Sequence, residues 1–178
     1  MSYSACLQTA SINLGCASNV GGITTAYLVA GDITGVTYNA QGAITGITGT
    51  GDIFTYEVQK QTSSLSETFN SSLENGTLYY TQDLLLNFHK MEQSKRNQVK
   101  LMAQNRGLKG FCLDNNNTIW YLGNDFGGGY LSAGSGVTGT AFGDANQYSV
   151  TLQFFSREPM TTLDGTLAQV VSGLTINP

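Results

Sequence analysis

The chain has 178 residues: 40% hydrophobic, 10% aromatic and only 11% charged, with 22 glycines, 2 prolines and a formal net charge of −4. Its charge content is less than half the roughly 25% of ordinary soluble proteins. It has no Gly-X-Y period and no apolar run approaching the ~18 residues of a membrane helix, and it is too aromatic for charge-solvated disorder, which excludes collagen, a helical membrane span and an electrostatically disordered chain. A net negative charge also argues against a surface that grips nucleic acid by neutralising phosphates, leaving one mainly β domain over residues 1–178.

The N-terminal stretch MSYSACLQTASINLGC has neither the basic region nor the apolar core of a secretory signal. Three cysteines, Cys6, Cys16 and Cys112, with no Cys-x-x-Cys, are neither a disulfide framework nor a zinc site. A Cys6–Cys16 bridge is conceivable, and three reduced, mostly buried thiols are the favoured reading. Without a secretion signal, the sequons at Asn70, Asn75 and Asn116 are chance matches in an Asn/Ser/Thr-rich chain.

Residues 23–30, ITTAYLVA, are β-branched and aromatic without helical period and predict a strand. A hairpin follows with arms near 33–38 and 43–48, joined by Asn39-Ala40-Gln41-Gly42, whose first and last residues suit a type I turn. GTGD, 49–52, reads as a loop. Phe54, Tyr56 and Val58 then alternate with polar residues, and the apolar parity switches at 59–64 to Leu65, Phe69 and Leu73, which implies a bend.

Asn75-Gly76 is a strong two-residue turn signal. Pairing back from it sets Leu73 opposite Leu78, Ser71 opposite Tyr80 and Leu65 opposite Leu86, and predicts a long amphipathic hairpin over about 53–88. One face collects Leu65, Phe69, Leu73, Leu78, Tyr80, Leu84, Leu86 and Phe88. The other collects Ser64, Ser66, Thr68, Asn70, Ser72, Glu74, Thr77, Tyr79, Thr81, Asp83 and Asn87, with Leu85 the exception.

From about 88 to 105 the spacing of Phe88, Met91, Lys95, Val99 and Met102 predicts one helix, with Asn87 as its cap and Gly107 as its stop. Beyond it, GFCLD and TIWYLG flank a turn at Asp114-Asn115-Asn116-Asn117, a glycine-rich passage leads to the strand QYSVTLQFF, and 166–176 reads as a weak last strand or an interaction arm. The expected fold is a β-sandwich or barrel-like domain with one helix and a long protruding hairpin.

No motif carries catalysis. Gly134-Ser135-Gly136-Val137-Thr138-Gly139 matches G-x-G-x-x-G, but a strand follows it where a dinucleotide site needs a helix. Asp114-x-Asn116 lacks the Gly and Glu of a calcium loop. His89, the single histidine, has no nucleophile motif near it and reads as a surface or interface residue. The twelve acids form no suggestive pair, and Trp120 between Ile119 and Leu122 reads as core. No catalytic residue, cofactor set or metal set is expected. Charge is nevertheless segregated. Six of the eight basic residues lie between 90 and 109, whereas Lys60 alone precedes them against six acids, a pattern suited to head-to-tail contact between copies.

The order strands, hairpin, long amphipathic hairpin, helix, returning strands resembles the phage tail-tube proteins. The likeness is carried by IFTYEVQ through SETFNSSLENGTLYYTQDLLL, by KMEQSKRNQVKLMAQN and by TAFGDANQYSVTLQFFSREPM, across about residues 20–160. The resemblance extends to the ring and adaptor proteins of head–tail junctions. It implies a structural virion subunit without enzymatic activity, made in the host bacterial cytoplasm and residing in the tail. Such subunits stack as hexameric rings whose hairpins join into one closed barrel around a channel for DNA. Partners would be other copies, neighbouring tail or neck proteins and, transiently, passing DNA, with no membrane.

On that resemblance Ser66, Thr68, Asn70, Ser72, Glu74, Thr77, Thr81 and Asp83 face the lumen. Leu65, Phe69, Leu73, Leu78, Tyr80, Leu84, Lys95, Arg96 and Lys100 are inter-subunit candidates. Hydroxyls and sparse carboxylates would let phosphate slide, and a hairpin this long needs a partner for its apolar face. Two other readings stand beside it: a capsid decoration protein, and a carbohydrate-binding module stacking sugars on Trp120, Tyr121 and Tyr130.

Overall fold

A computed structural model describes residues 10–15 and 17–178; Cys6 and Cys16, and with them the possible bridge, lie outside the described residues. The domain is mainly β. Its strands are β1 (Ile23–Tyr38), β2 (Ile44–Glu57), β3 (Ser64–Ser72) and β4 (Thr77–His89), then, after helix α1 (Gln93–Gln104), β5 (Lys109–Asp114), β6 (Ile119–Leu122), β7 (Tyr130–Val137), β8 (Gln147–Ser156) and β9 (Thr161–Thr162). Helix α2 (Leu167–Val170) and strand β10 (Val171–Asn177) complete it. Six strands form one sheet in the order β10-β2-β1-β5-β6-β9, and four form another in the order β3-β4-β8-β7.

The two sheets pack face to face. Alternation sends Leu84 and Leu86 of β4 and Val150, Leu152 and Phe154 of β8 inward, against Ala26, Leu28, Cys112 and Leu122 of the six-stranded sheet. Each of these larger side chains contributes about 1.5–3 kcal/mol on full burial. Met102 of α1 joins the cluster, so the helix closes one flank. Burial raises the Cys112 thiol to about 12, which keeps it protonated and inert at neutral pH.

A second core lies on the other face of the large sheet. The β1–β2 hairpin is long enough to curl back, bringing Ile44 and Ile47 against Phe111, Ile119 and Tyr121. Leu163, Leu167 and Val170 close it, and a single bridge joins Ile44 to Leu163, so the curled sheet nearly meets itself. Asn39 ties the hairpin turn as its chemistry predicts: its carbonyl accepts from Gly42 N–H at 3.0 Å and its Oδ1 from Gln41 and Ala43 N–H.

The GTGD stretch is not a loop. Residues 49–52 lie inside β2, where the hairpin bends. Strand β1 brings Gly31 opposite Gly51 there, so closely that a Cβ on Gly31 would collide with the Thr50 carbonyl. Gly51 itself has φ +117, a conformation that side chains rarely adopt. The glycines mark a bend within a strand and not its end.

The amphipathic hairpin is β3–β4 alone, 64 to 89 rather than 53 to 88. Residues 53–57 belong to the other sheet, and the chain crosses between sheets at 58–63, where Gln61 takes φ 64. Its register is two residues from the expected one: Ser72 faces Thr77, Phe69 faces Tyr80 and Leu65 faces Leu84. The cause is the turn. Asn75 keeps a negative φ, so no two-residue type I′ turn forms, and Gly76 alone takes a left-handed φ of 61 at the end of a four-residue loop, 73–76.

The helix also starts later than its spacing predicts. Strand β4 continues to His89 because β8 pairs with it from Tyr80↔Ser156 to His89↔Gln147. Asn87 is therefore a strand residue. It does not cap the helix; its backbone N–H donates to Ser63 Oγ and its side-chain amide to the Thr62 carbonyl. Lys90, at φ 63, turns the chain, Glu92 occupies the N-cap position, and Asn105 the C-cap. His89 ends a strand instead of beginning a helix, and it is exposed.

Candidate assembly surface

The four-stranded sheet presents a free outer face. Antiparallel pairing places Ser66 beside Asp83, Thr68 beside Thr81, Asn70 beside Tyr79 and Ser72 beside Thr77. It then continues Asp83 to Gln153 and Gln153 to Tyr130. Seven of the eight lumen candidates thus share one surface; Glu74 sits in the tip loop. Sequence reasoning missed the contributions of Ser149, Thr151, Gln153, Phe155 and Tyr130. The alternation of QYSVTLQFF carries that signal for β8, but only the sheet order shows that its polar parity joins the same face.

The face is cross-linked by side chains. Asn70 Nδ2 donates to Thr81 Oγ1 at 2.9 Å. Gln153 Nε2 donates to Asp83 Oδ1 at 2.8 Å, while Tyr130 Oη donates to Gln153 Oε1 at 2.9 Å. Phe155 stands between Tyr79 and Tyr130, 6.3 Å from each ring centre. None of the four strands contains Lys or Arg. Chemically the surface offers hydroxyls, amides and a single strand-borne carboxylate, beside the Tyr79–Phe155–Tyr130 rings and Leu85.

The opposite face sorts the inter-subunit candidates. Leu84 is fully buried and Leu65 packs half-buried on the same core, so both hold the monomer together and Leu84 is unavailable to a partner. Tyr80 is half-buried, edge-on to Phe69 at 5.2 Å. Strand β8 ends opposite Tyr80, so the hairpin beyond it overhangs the sheet. There Phe69, Leu73 and Leu78 are exposed, Leu73 completely. Arg96 and Lys100 lie on the exposed side of α1, and Lys95 is half-buried with its Nζ on the His89 carbonyl.

Among the described residues neither edge of this sheet has a further strand partner: β3 pairs with β4 alone and β7 with β8 alone. Because each neighbouring pair is antiparallel, the two edge strands run in opposite directions. They have similar length, 9 and 8 residues. Solitary proteins blunt such edges with Lys, Pro or charge. Strand β7 has none of these, and the one charge of β3, Glu67, accepts hydrogen bonds from Gln82 Nε2 and from the Met160 N–H.

The aromatic triad considered for sugar stacking is dispersed. Trp120 is half-buried, its Nε1 donating to Asp114 Oδ2; Tyr121 is buried on the other face of β6, stacked on Phe111; Tyr130 belongs to the other sheet. The glycine motif at 134–139 begins within β7, which holds it to Val137, inside a sheet and not before a helix. A hollow of about 570 Å³ lies between Tyr38, Tyr121, Gln82 and Glu158.

Compared with models of protein families, with curated proteins and with solved structures, the chain matches none.

Proposed function

We propose that the chain is a structural assembly subunit that closes into rings by joining its four-stranded sheets edge to edge, and that the rings stack into the tube of a phage tail. The carrying observation is the pair of oppositely directed, similarly long edges that have no strand partner among the described residues and contain no Lys, Arg or Pro. In a cyclic ring, copies related by rotation bring β3 of one beside β7 of the next. Opposite directions make that contact an ordinary antiparallel pair, and closure removes both edges of this sheet. The core-facing side of the sheet is occupied by the monomer's own sandwich, so the polar outer face would line the channel. Its hydroxyls and carboxylates, without a single Lys or Arg, suit DNA that must pass and not stick. The ring-stacking tube, as opposed to a neck ring or decoration protein, follows from the resemblance of the hairpin–helix–strand order described above.

The test is electron microscopy and sedimentation of the full chain together with two proline variants, Thr68→Pro and Phe69→Pro. Adjacent amides on β3 point to opposite sides, so one variant loses an N–H that serves the open edge alone. Rings or tubes from the native chain, and folded but dispersed protein from that one variant, are expected. A native chain that stays monomeric at all concentrations, or two folded variants that both assemble normally, would overturn the reading.

A further inference from the structure

The described residues just ahead of β1 are held at a fixed point. Asn116 clamps Val20 from both sides, its Oδ1 accepting from Val20 N–H at 2.9 Å and its Nδ2 donating to the Val20 carbonyl at 2.8 Å. Asn115 adds bonds to the Gly21 and Gly22 carbonyls. Described residues before the clamp are exposed without regular structure, and Ile12 and Leu14 are fully exposed, at 100% and 104%. Two bare aliphatic side chains two residues apart, on a segment with no charge between 10 and 22, are what an extended arm presents to a partner.

The clamp lies on the β3 flank, where a hollow is shared by Val20, Ser64, Leu65 and Trp120. The helix α1 lies on the opposite flank, in contact with β7. There, between α1 and β1–β2, are two adjacent hollows of about 130 and 140 Å³ that share Tyr56, Gln98 and Met102. At ~30 Å³ per water molecule each holds about four waters, the bulk of one four-carbon side chain. Phe54 and Leu101, both on the first hollow, are exposed hydrophobics that the monomer leaves uncovered.

We infer that the arm at residues 10–19 docks on the next copy, seating Ile12 and Leu14 in the paired hollows between α1 and β2. The inference rests on the ring reading, because edge-to-edge closure sets the β3 flank of one copy, with its arm, against the β7–α1 flank of the next. Reach is sufficient: six to eight residues back from Val20 span about 20–27 Å when extended. Ile12 and Leu14 share one side of such a segment about 7 Å apart, matching two contiguous hollows. The clamp fixes where the arm starts, so less freedom is lost on docking than for a free tail.

The experiment mixes equal amounts of full chain grown on heavy and on light nitrogen, both carrying a photoreactive benzoylphenylalanine at Ala10, on the same side of an extended arm as Ile12 and Leu14. The mixture is assembled, sized, irradiated and mapped by mass spectrometry. Expected are cross-links from the arm peptide to residues 93–105 or 53–57, with heavy–light pairs as abundant as the two like-labelled pairs together. Leu101→Glu should abolish them. Cross-links confined to one label, cross-links elsewhere, none at all, or full retention in Leu101→Glu would each overturn the docking. Assembled particles that lack the link overturn the arm alone, whereas absence of particles overturns the ring reading.

Discussion

Asp114 governs more of this molecule than its place in a turn suggests. Its Oδ1 accepts the N–H groups of Asn116 and Thr118 at 2.9 and 2.8 Å, and its Oδ2 accepts the Trp120 indole. One carboxylate therefore ties the β5–β6 turn, orients the single tryptophan and holds Asn116 where it clamps the arm. Asp114→Ala leaves two backbone donors and an indole N–H to find water, at a cost of about 1–3 kcal/mol. The midpoint of urea unfolding should fall accordingly, and an unchanged midpoint would show that the turn is self-sufficient. At the same scale, Gln82 is an oddity: buried to 2% exposure, it gives its Nε2 to Glu67, while its Oε1 has no hydrogen-bond partner among the described residues.

Among the elements, the curled β1–β2 hairpin depends on backbone more than on side chains. Gly51, at φ +117 and against the Ala30 carbonyl, allows the bend that delivers Ile44 and Ile47 to the second core. Gly51→Ala should lose about 1–3 kcal/mol of stability. Gly143→Ala, in open space at a loop, should change nothing measurable. Equal thermal midpoints for the two would mean that the bend does not rest on Gly51.

This hairpin also shows what could be read from sequence. The turn at Asn39–Gly42 and the strand character on both sides were legible because their signals are local. The bend was not, since a glycine pair reads as a loop until a partner strand is known to run alongside. The β3–β4 hairpin is the converse case. Its register was displaced, yet its two faces came out correctly, because a shift of two residues preserves side-chain parity. Helix α1 lost its first turns to β8, a partner about 60 residues away that no local period reveals. Still longer separations, from Asp83 to Gln153 and from Thr81 to Phe155, hid these two residues from the candidate surface.

For the whole molecule, low charge becomes intelligible once surfaces are sorted. The strands of the outer face carry Asp83 and Glu67 as their only carboxylates and no strong base, while Arg96 and Lys100 lie out on the helix flank. On the proposed function, Glu74→Lys with Asp83→Lys puts cations into the channel without touching the edges. Assembly should persist while DNA ejection from particles slows, increasingly so at low salt where phosphate contacts strengthen. Ejection at the native rate would mean that this face does not meet DNA.

Four strands that run alternately up and down have one more consequence. Copies that join β3 to β7 all stand the same way up, so any ring they close has two unlike rims and no two-fold axis across it. On the proposed function, rings stacked head to tail would form a polar filament. It would present different chemistry at its two ends, add each ring by a contact that does not terminate itself, and take its starting point and length from some other molecule.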